Sequence, residues 1–466
     1  MTTNNTKVVD VLVIGDGIAG CTAALAAHKK RANVLIVEKS QPDVPHGNTA
    51  FCGGALRRVS REYPEGRYFA DIMKVSQGQA DKVLTRITIR NSRRAKASLS
   101  RLGIRWTSPT SNPGRADSVV GRGATLAPTL RKAVRKAKIP ISYGTRVLDV
   151  SFSDNSVTRV KIRASNGTKT ISCKALVIAT GGFQGSRQLV TQYIGRGAHR
   201  LVLRGYKQST GDGHRIAAKL GAYLIGMEGY HGGIIHYGYK KFPWVGEEKG
   251  MRSVKKYEPG ILVNRDGRRF VDEGEDTSDK TYAKFGRIIA LTQPGGIAYL
   301  VFDSKAKDII DPMYEGPEKG PVEAMTLDGL ANKLSIGPSK LQETVETFNR
   351  AVDEGKSSKL SPPKSNFAQR IDKPPFYAYV VTGGMTFTFG GIRINAKAEV
   401  LTGTSKVIPG LYAAGEVTGG FFYHNYPAGS SLTRCAVFGE IAGKNAASFT
   451  RRKVPLKSFK GLGMGS

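Results

Sequence analysis

Cysteine is scarce in this chain: four among 466 residues, at Cys21, Cys52, Cys173 and Cys435. They are scattered and none has metal-ligand spacing. A disulfide framework and a zinc or iron–sulfur site are therefore not expected, and the thiols read as free, buried groups of a reducing compartment. Long apolar runs are missing too, since none reaches the roughly 18 residues that cross a bilayer. The start, Met1-Thr-Thr-Asn-Asn-Thr-Lys7, has no signal-peptide core and reaches an apolar strand too soon for a transit peptide. A cytoplasmic protein is expected. Acidic residues are few, 37 against 71 Lys+Arg, a net charge of +34. Basic residues crowd Arg86 to Arg105 and Arg131 to Lys138. The runs have no interleaved aromatics and no nucleic-acid module motif, so a solvated basic surface is favoured over a specific nucleic-acid site.

What is present is glycine in pattern. Asp10-Val-Leu-Val-Ile-Gly-Asp-Gly-Ile-Ala-Gly20 is an apolar strand running into a G-x-G-x-x-G turn. Gly15 allows the tight turn, Gly17 lets backbone approach a pyrophosphate, and Gly20 lets the helix lie on the strand. Ile18 to His28 reads as that helix, with Ile18 and Ala19 in its first turn, where unpaired N–H groups favour phosphate. Val34-Leu-Ile-Val-Glu38 is the second strand. Glu38, followed by Lys39, ends it where a carboxylate can accept from ribose hydroxyls. Two later turns repeat the idea. Ala175-Leu-Val-Ile-Ala179-Thr180-Gly181-Gly182 and Pro409-Gly-Leu-Tyr-Ala-Ala-Gly415-Glu416 are apolar strands ending in glycine. The first turn alone does not choose between NAD and FAD; the three together resemble the two-part FAD domain of flavoprotein oxidoreductases.

The fold class expected is α/β: a two-part Rossmann-like FAD-binding domain with an inserted α+β capping domain. The first part covers 1–227, the cap 228–373, the second part 374–450, and a basic tail 451–466. Within the first part, a helical excursion at about 67 to 138 precedes a strand at Thr145 to Val150 and a hairpin-like stretch to Ile171. In the cap, Asp266-Gly267 predicts a hairpin across Gly260 to Glu273, and Pro338 to Glu354 a helix.

The chain resembles the flavoprotein superfamily of fumarate reductase, succinate dehydrogenase and 3-ketosteroid dehydrogenase, with the greatest likeness to tricarballylate dehydrogenase and its relatives. The segments that carry it are Gly260 to Gly274, Tyr282-Ala-Lys-Phe-Gly286, Gln293-Pro-Gly-Gly296, Pro375-Phe-Tyr-Ala-Tyr379, Thr386-Phe-Thr-Phe-Gly-Gly391 and Tyr412 to Gly443. The resemblance implies FAD contacts at Gly15, Gly17, Gly20 and Glu38, and in the loop of Gly47, Asn48, Thr49, Gly53 and Gly54. It extends them to Val147 beside adenine, Asp212, Glu416 at the ribitol, and Ser430, Ser431 and Leu432 at the pyrimidine edge. A helix start there stabilises the negative charge of reduced flavin. Succinate dehydrogenases attach FAD through a histidine in the early loop; the matching position is Asn48, which implies non-covalent FAD.

Departures from the family bear on substrate. A clamp arginine before the pyrimidine-edge helix is replaced by Tyr426. A His-His pair is replaced by Thr386-Phe387, and Asp276-Thr-Ser-Asp-Lys280 lacks the cap arginine. The family's hydride transfer at a C–C bond needs an acid/base group. Tyr426 leads, with Tyr423 and His424 beside it; the alternative is that these rings only wall the pocket. Tyr282, Lys280, His231 and His236 could reach substrate from the cap, while Arg269 is expected to salt-bridge within it. No metal site is expected, so electrons would pass to or from a separate partner, a soluble acceptor or oxygen. The reading is an oxidoreductase that introduces or reduces a C–C double bond next to a carboxylate or ketone. Alternatives are a ketosteroid-type dehydrogenase, a tRNA-acting flavoprotein, and a flavin scaffold with decayed catalysis.

Overall fold

The computed structural model describes residues 8–107, 115–152, 158–237, 254, 256–310 and 320–451. The expected tail, past Arg451, lies outside the described residues. Its first sheet forms because Val11, Leu12 and Val13 are fully buried and so read as a strand covered on both faces. The strand Val9–Ile14 pairs in parallel with Val34–Val37 on one side and Gly167–Ile178 on the other. Val407–Ala413 then adds in parallel to Gly167–Ile178, and Ile141–Ser142 to Val34–Val37. The three glycine turns thus stand side by side at the carboxyl ends of adjacent strands. That is the edge where open α/β sheets bind ligands. The hairpin-like stretch is Arg146–Phe152, Thr158–Ala164 and Gly167–Ile178, paired antiparallel.

Helix Ile18–Lys29 follows the first turn, and the long helix Ser430–Phe449 packs along it. Their closeness is set by small residues. A Cβ on Gly439 would stand 2.5 Å from Ala19 O, and one on Gly443 2.0 Å from Ala23 O. The excursion expected to be helical holds Glu65–Val75, Lys82–Arg90, Ser92–Arg101 and Arg122–Lys136. It also holds two short strands, Trp106–Thr107 and Ala116–Val119, that join Ala55–Arg57 in a small sheet.

A second sheet is organised by one long strand, Phe376–Thr388. Tyr230–His236, Ile297–Asp303 and Val322–Ala324 pair with it antiparallel, and Val202–Leu203 in parallel. Alternate residues feed two cores, as a period of two requires. Tyr299, Val301, Phe376 and Ala378 pack with Leu330, Leu341 and Phe348, whereas Leu300, Phe302, Tyr377 and Tyr379 pack with Phe285 and Ile289. The boundary expected at 373 falls just before this strand, which therefore carries the second sheet. The expected hairpin after Asp266-Gly267 is only half formed. Gly267 makes the turn at φ +72, but Ile261–Val263 meets the returning chain at a single bridge, Val263 to Arg269. Leu262 N donates instead to the buried Glu273 carboxylate at 2.7 Å, which takes the place of a ladder partner.

Candidate active site

The glycine turns are as tight as their spacing demands. Gly15 sits at φ +99 with its Cβ position 2.5 Å from Ala179 O, so any side chain would strike the second turn. A Cβ on Gly20 would stand 1.8 Å from Gly15 O, and one on Gly415 2.7 Å from the Ala19 methyl. First and third turns are thus held together. Helix Ile18–Lys29 starts at Gly17 with no capping side chain, though Thr49 Oγ1 accepts from Ile18 N at 3.0 Å. Glu38 accepts from Asp16 N at 3.3 Å and Ser40 N at 2.8 Å. Lys39 donates to Asp212 at 3.0 Å, and Arg146 and Arg215 join the same carboxylate. Val147 is buried in its strand. In the early loop Gly47 faces open space, Gly53 is exposed, and Gly54 packs against Arg122.

Deeper in, Asn48 Nδ2 donates to Glu416 at 2.7 Å and to Thr386 O at 3.3 Å, while Asn48 Oδ1 accepts from Tyr206 N at 2.7 Å. Burial pushes the Glu416 carboxyl up to about 7, against the hydrogen bonds from Asn48 and Thr388 N. Ser430, Ser431 and Leu432 form the first turn of a helix whose start, Gly429, also lacks a capping side chain. Thr180 Oγ1 and Thr386 Oγ1 are buried with no hydrogen-bond partner among the described residues. Two uncapped helix starts, glycine-lined approaches and orphaned hydroxyls fit a dinucleotide cofactor laid along this edge.

One network here escaped the sequence reading. Asp16, between the two turn glycines, is buried against His46 Nε2 at 3.0 Å and Arg131 Nε at 2.8 Å. His46 Nδ1 faces Val44 O at 2.7 Å, so the imidazolium satisfies both acceptors. Burial opposes both charges. The mutual contacts outweigh it, raising His46 and holding Asp16 below its usual range. Arg131, expected on a solvated basic face, is instead a buried partner of the first turn. The available sign was a charged residue inside the glycine motif.

The second cluster is aromatic. Tyr282 and Tyr426 share a hydrogen bond between their hydroxyls at 2.6 Å. His231 lies edge-on to Tyr282 at 4.9 Å between ring centroids and 5.6 Å from Tyr426, with Phe387 5.4 Å from His231. Phe389 and Phe422 close the group around Tyr426. Burial lifts Tyr426 to about 12 and Tyr282 well above the usual phenol value, and drops His231 to about 3. At neutral pH all three are uncharged.

The other candidates lie apart from this cluster. The Tyr423 ring packs on Gly226, and His424 is half-buried. His236 sits at the far end of its strand against Tyr379. Lys280 is taken up by Asp276 at 3.1 Å and Asp71 at 3.5 Å, and Arg269 by Glu273 at 2.6 Å. The residue overlooked is Arg204. It is buried beside Val202–Leu203, and its charge is felt by Tyr282, Tyr426 and His231. Among so many basic residues a lone arginine carried no signal; Gly233 and Gly384, which make room for it, did.

Comparison with known proteins agrees with this geometry. Residues 10–432 match the family described as FAD binding domain. The fumarate reductase (cytochrome) of Shewanella frigidimarina is 28% identical over 95% of this chain and 78% of its own length. The urocanate reductase of Eggerthella lenta is 26% identical over 94% of this chain and 75% of its own. The open conformation of a flavocytochrome c3 fumarate reductase superposes with a TM-score of 0.73 at 27% identity, covering 96% of this chain and 80% of that one. A 3-ketosteroid delta1-dehydrogenase from Sterolibacterium denitrificans shares the fold, with a TM-score of 0.76 at 20% identity over 95% of this chain and all of that one. The chain belongs to the FAD-binding fumarate reductase/succinate dehydrogenase family of flavoproteins, oxidoreductases that act on CH–CH groups.

Proposed function

We propose that the protein reduces a C–C double bond next to a carboxylate, with FAD held non-covalently and the segment 228–373 acting as a cap over the substrate. The observation that carries this reading is the Tyr282–Tyr426 hydroxyl pair, buried beside His231 and Arg204. Bound FAD, once reduced by a separate electron donor, would supply the hydride. Both tyrosines are protonated at neutral pH, so they are placed to donate a proton rather than to take one, which suits reduction. Tyr426 is the donor in this reading. Tyr282 orients its hydroxyl and can replace the proton it gives up. Neutral His231 and the surrounding phenylalanines exclude water. Asn48 supports non-covalent attachment, because its amide is no nucleophile and is already engaged by Glu416, Thr386 and Tyr206. Fumarate and urocanate reductases among the relatives support a carboxylate substrate. The aromatic lining also suits a second reading, a neutral ketone of ketosteroid type.

The purified protein should be yellow and release intact FAD on acid precipitation. Flavin that stays with the denatured chain contradicts non-covalent binding. Tyr426→Phe should keep its FAD and fold, yet slow single-turnover flavin oxidation by an enoate about 10²-fold or more. An unchanged rate would make the hydroxyl a wall.

A further inference from the structure

Arg57, at the end of the short strand Ala55–Arg57, is fully buried, and its polar groups hold several pieces of chain at once. Its N donates to Gly429 O at 3.2 Å, and its carbonyl accepts from Thr433 Oγ1 at 2.6 Å. The guanidinium turns its nitrogens to three acceptors. Nε donates to Ala428 O at 2.7 Å, Nη1 to the Tyr63 hydroxyl at 3.0 Å and Nη2 to Asp279 Oδ2 at 2.9 Å. Residues 428–433 follow directly on Tyr426, and Asp279 directly precedes the turn that ends at Tyr282. Two more bonds close the same seam. Ala428 N donates to Asp279 O at 3.1 Å, and Asn425 Nδ2 donates to Lys280 O. Tyr63 is itself fixed, since its hydroxyl donates to Asp71 at 2.7 Å and Asp71 faces Lys280 at 3.5 Å. The segments that carry the two tyrosines thus meet on one side chain.

We propose that Arg57 is the positioning residue of the proton-donating pair: it braces the Tyr426 loop and the cap segment of Tyr282 against one guanidinium, and so sets the contact between their hydroxyls. This rests on the reading of Tyr426 as the proton donor and deepens it. A guanidinium suits the task because its donors form a rigid planar fork that serves acceptors in several directions, which a lysine ammonium on its flexible stem does not. Burial makes the brace firm. If Asp279 withdrew, a buried cation would lose its counter-charge, and that cost keeps the cap segment seated. The same charge is felt by both tyrosines and favours the phenolate that proton donation leaves behind. A displacement of about 1 Å can change a rate by about 10²-fold, so a brace that never touches substrate can still govern the transfer.

The test uses holoenzyme reduced anaerobically with dithionite and reoxidised in a single turnover by fumarate, urocanate or cinnamate, whichever is fastest. Arg57→Gln should keep its FAD and its half-saturating substrate concentration, while the limiting rate falls roughly 10-fold or more, the scale of a small misalignment. Asp279 keeps Arg115 nearby at 3.9 Å, so its carboxylate is not stranded in this variant. On the Tyr426→Phe background, Arg57→Gln should slow the reaction no further, because groups that act as a unit are not additive. Arg57→Lys, which keeps the charge but not the fork, should be slow as well. Hydrogen exchange reads the brace without substrate: the Ala428 amide should exchange roughly 10-fold faster or more in Arg57→Gln holoenzyme, with helix Pro338–Asp353 unchanged. Should Arg57→Gln fail to fold, Asp279→Asn cuts the same brace from the cap side and is held to the same rate and exchange outcomes. A wild-type rate, losses that multiply in the double variant, full recovery by lysine, or unchanged Ala428 exchange overturns the proposal and leaves enoate reduction standing. A wild-type rate in Tyr426→Phe alone, or oxidation by none of the three acids, overturns it together with the reading beneath it.

Discussion

Glu416 shows how much a single buried acid can govern. Burial lifts its carboxyl from 4.5 to about 7, so the folded state binds its proton more tightly than the unfolded chain does. The stabilisation is complete below about 4.5 and is lost as pH rises through about 7, with a span of about 3 kcal/mol. FAD-stripped protein should therefore melt at lower temperature at pH 8 than at pH 5. Glu416→Gln should flatten that difference, because Asn48 Nδ2 can still donate to the new carbonyl. Thermal denaturation across that range checks it, and an equal slope in both proteins would refute the assignment. Glu416 was readable because it ends a strand–glycine pattern. Tyr426 and Tyr282 were singled out from segments with a family likeness and His231 from a histidine pair early in the cap, and the fold brings these three together. Tyr423 and His424, adjacent in sequence to Tyr426, turn elsewhere, since neighbouring side chains on a loop need not share a direction. Arg204 had no local mark at all; its meaning comes from glycines on two other strands.

At the scale of elements, the contact between helices Ile18–Lys29 and Ser430–Phe449 sets the geometry of the first turn. With its Cβ 2.0 Å from Ala23 O, Gly443→Ala forces the helices apart. The expected cost is about 1–3 kcal/mol, typical of overpacking, with weaker FAD retention because the first helix start moves. Ser448→Ala, on the exposed side, should change little. Melting temperature and FAD titration measure both. Strands and helices with a strong period, such as Val9–Ile14 and Pro338–Asp353, were legible from sequence alone. The partner of a strand was less so. Asp266-Gly267 did make its turn, yet the Glu273 carboxylate took the Leu262 N hydrogen bond that a returning strand would have made. Local turn chemistry cannot reveal a carboxylate that competes from further along the chain.

For the whole molecule, the charge of +34 is less free than it looks. Asp212 gathers Lys39, Arg146 and Arg215, Asp117 takes Arg58 and Lys96, and Arg131 and Arg57 are buried. Retention on DNA should be weak, indifferent to sequence and lost steeply with added salt, as phosphate neutralisation alone dictates. Tight, base-specific binding at physiological salt would restore the tRNA-acting alternative. No helix among the described residues is long and apolar enough to cross a membrane. The strand Phe376–Thr388 has a consequence for how the protein is born. A ribosome delivers Val202–Leu203, Tyr230–His236 and Ile297–Asp303 long before the strand they all pair with, and the first sheet likewise waits for Val407–Ala413. For most of translation both sheets expose unpaired edges, so the nascent chain is a natural client for a chaperone until its last fifth emerges.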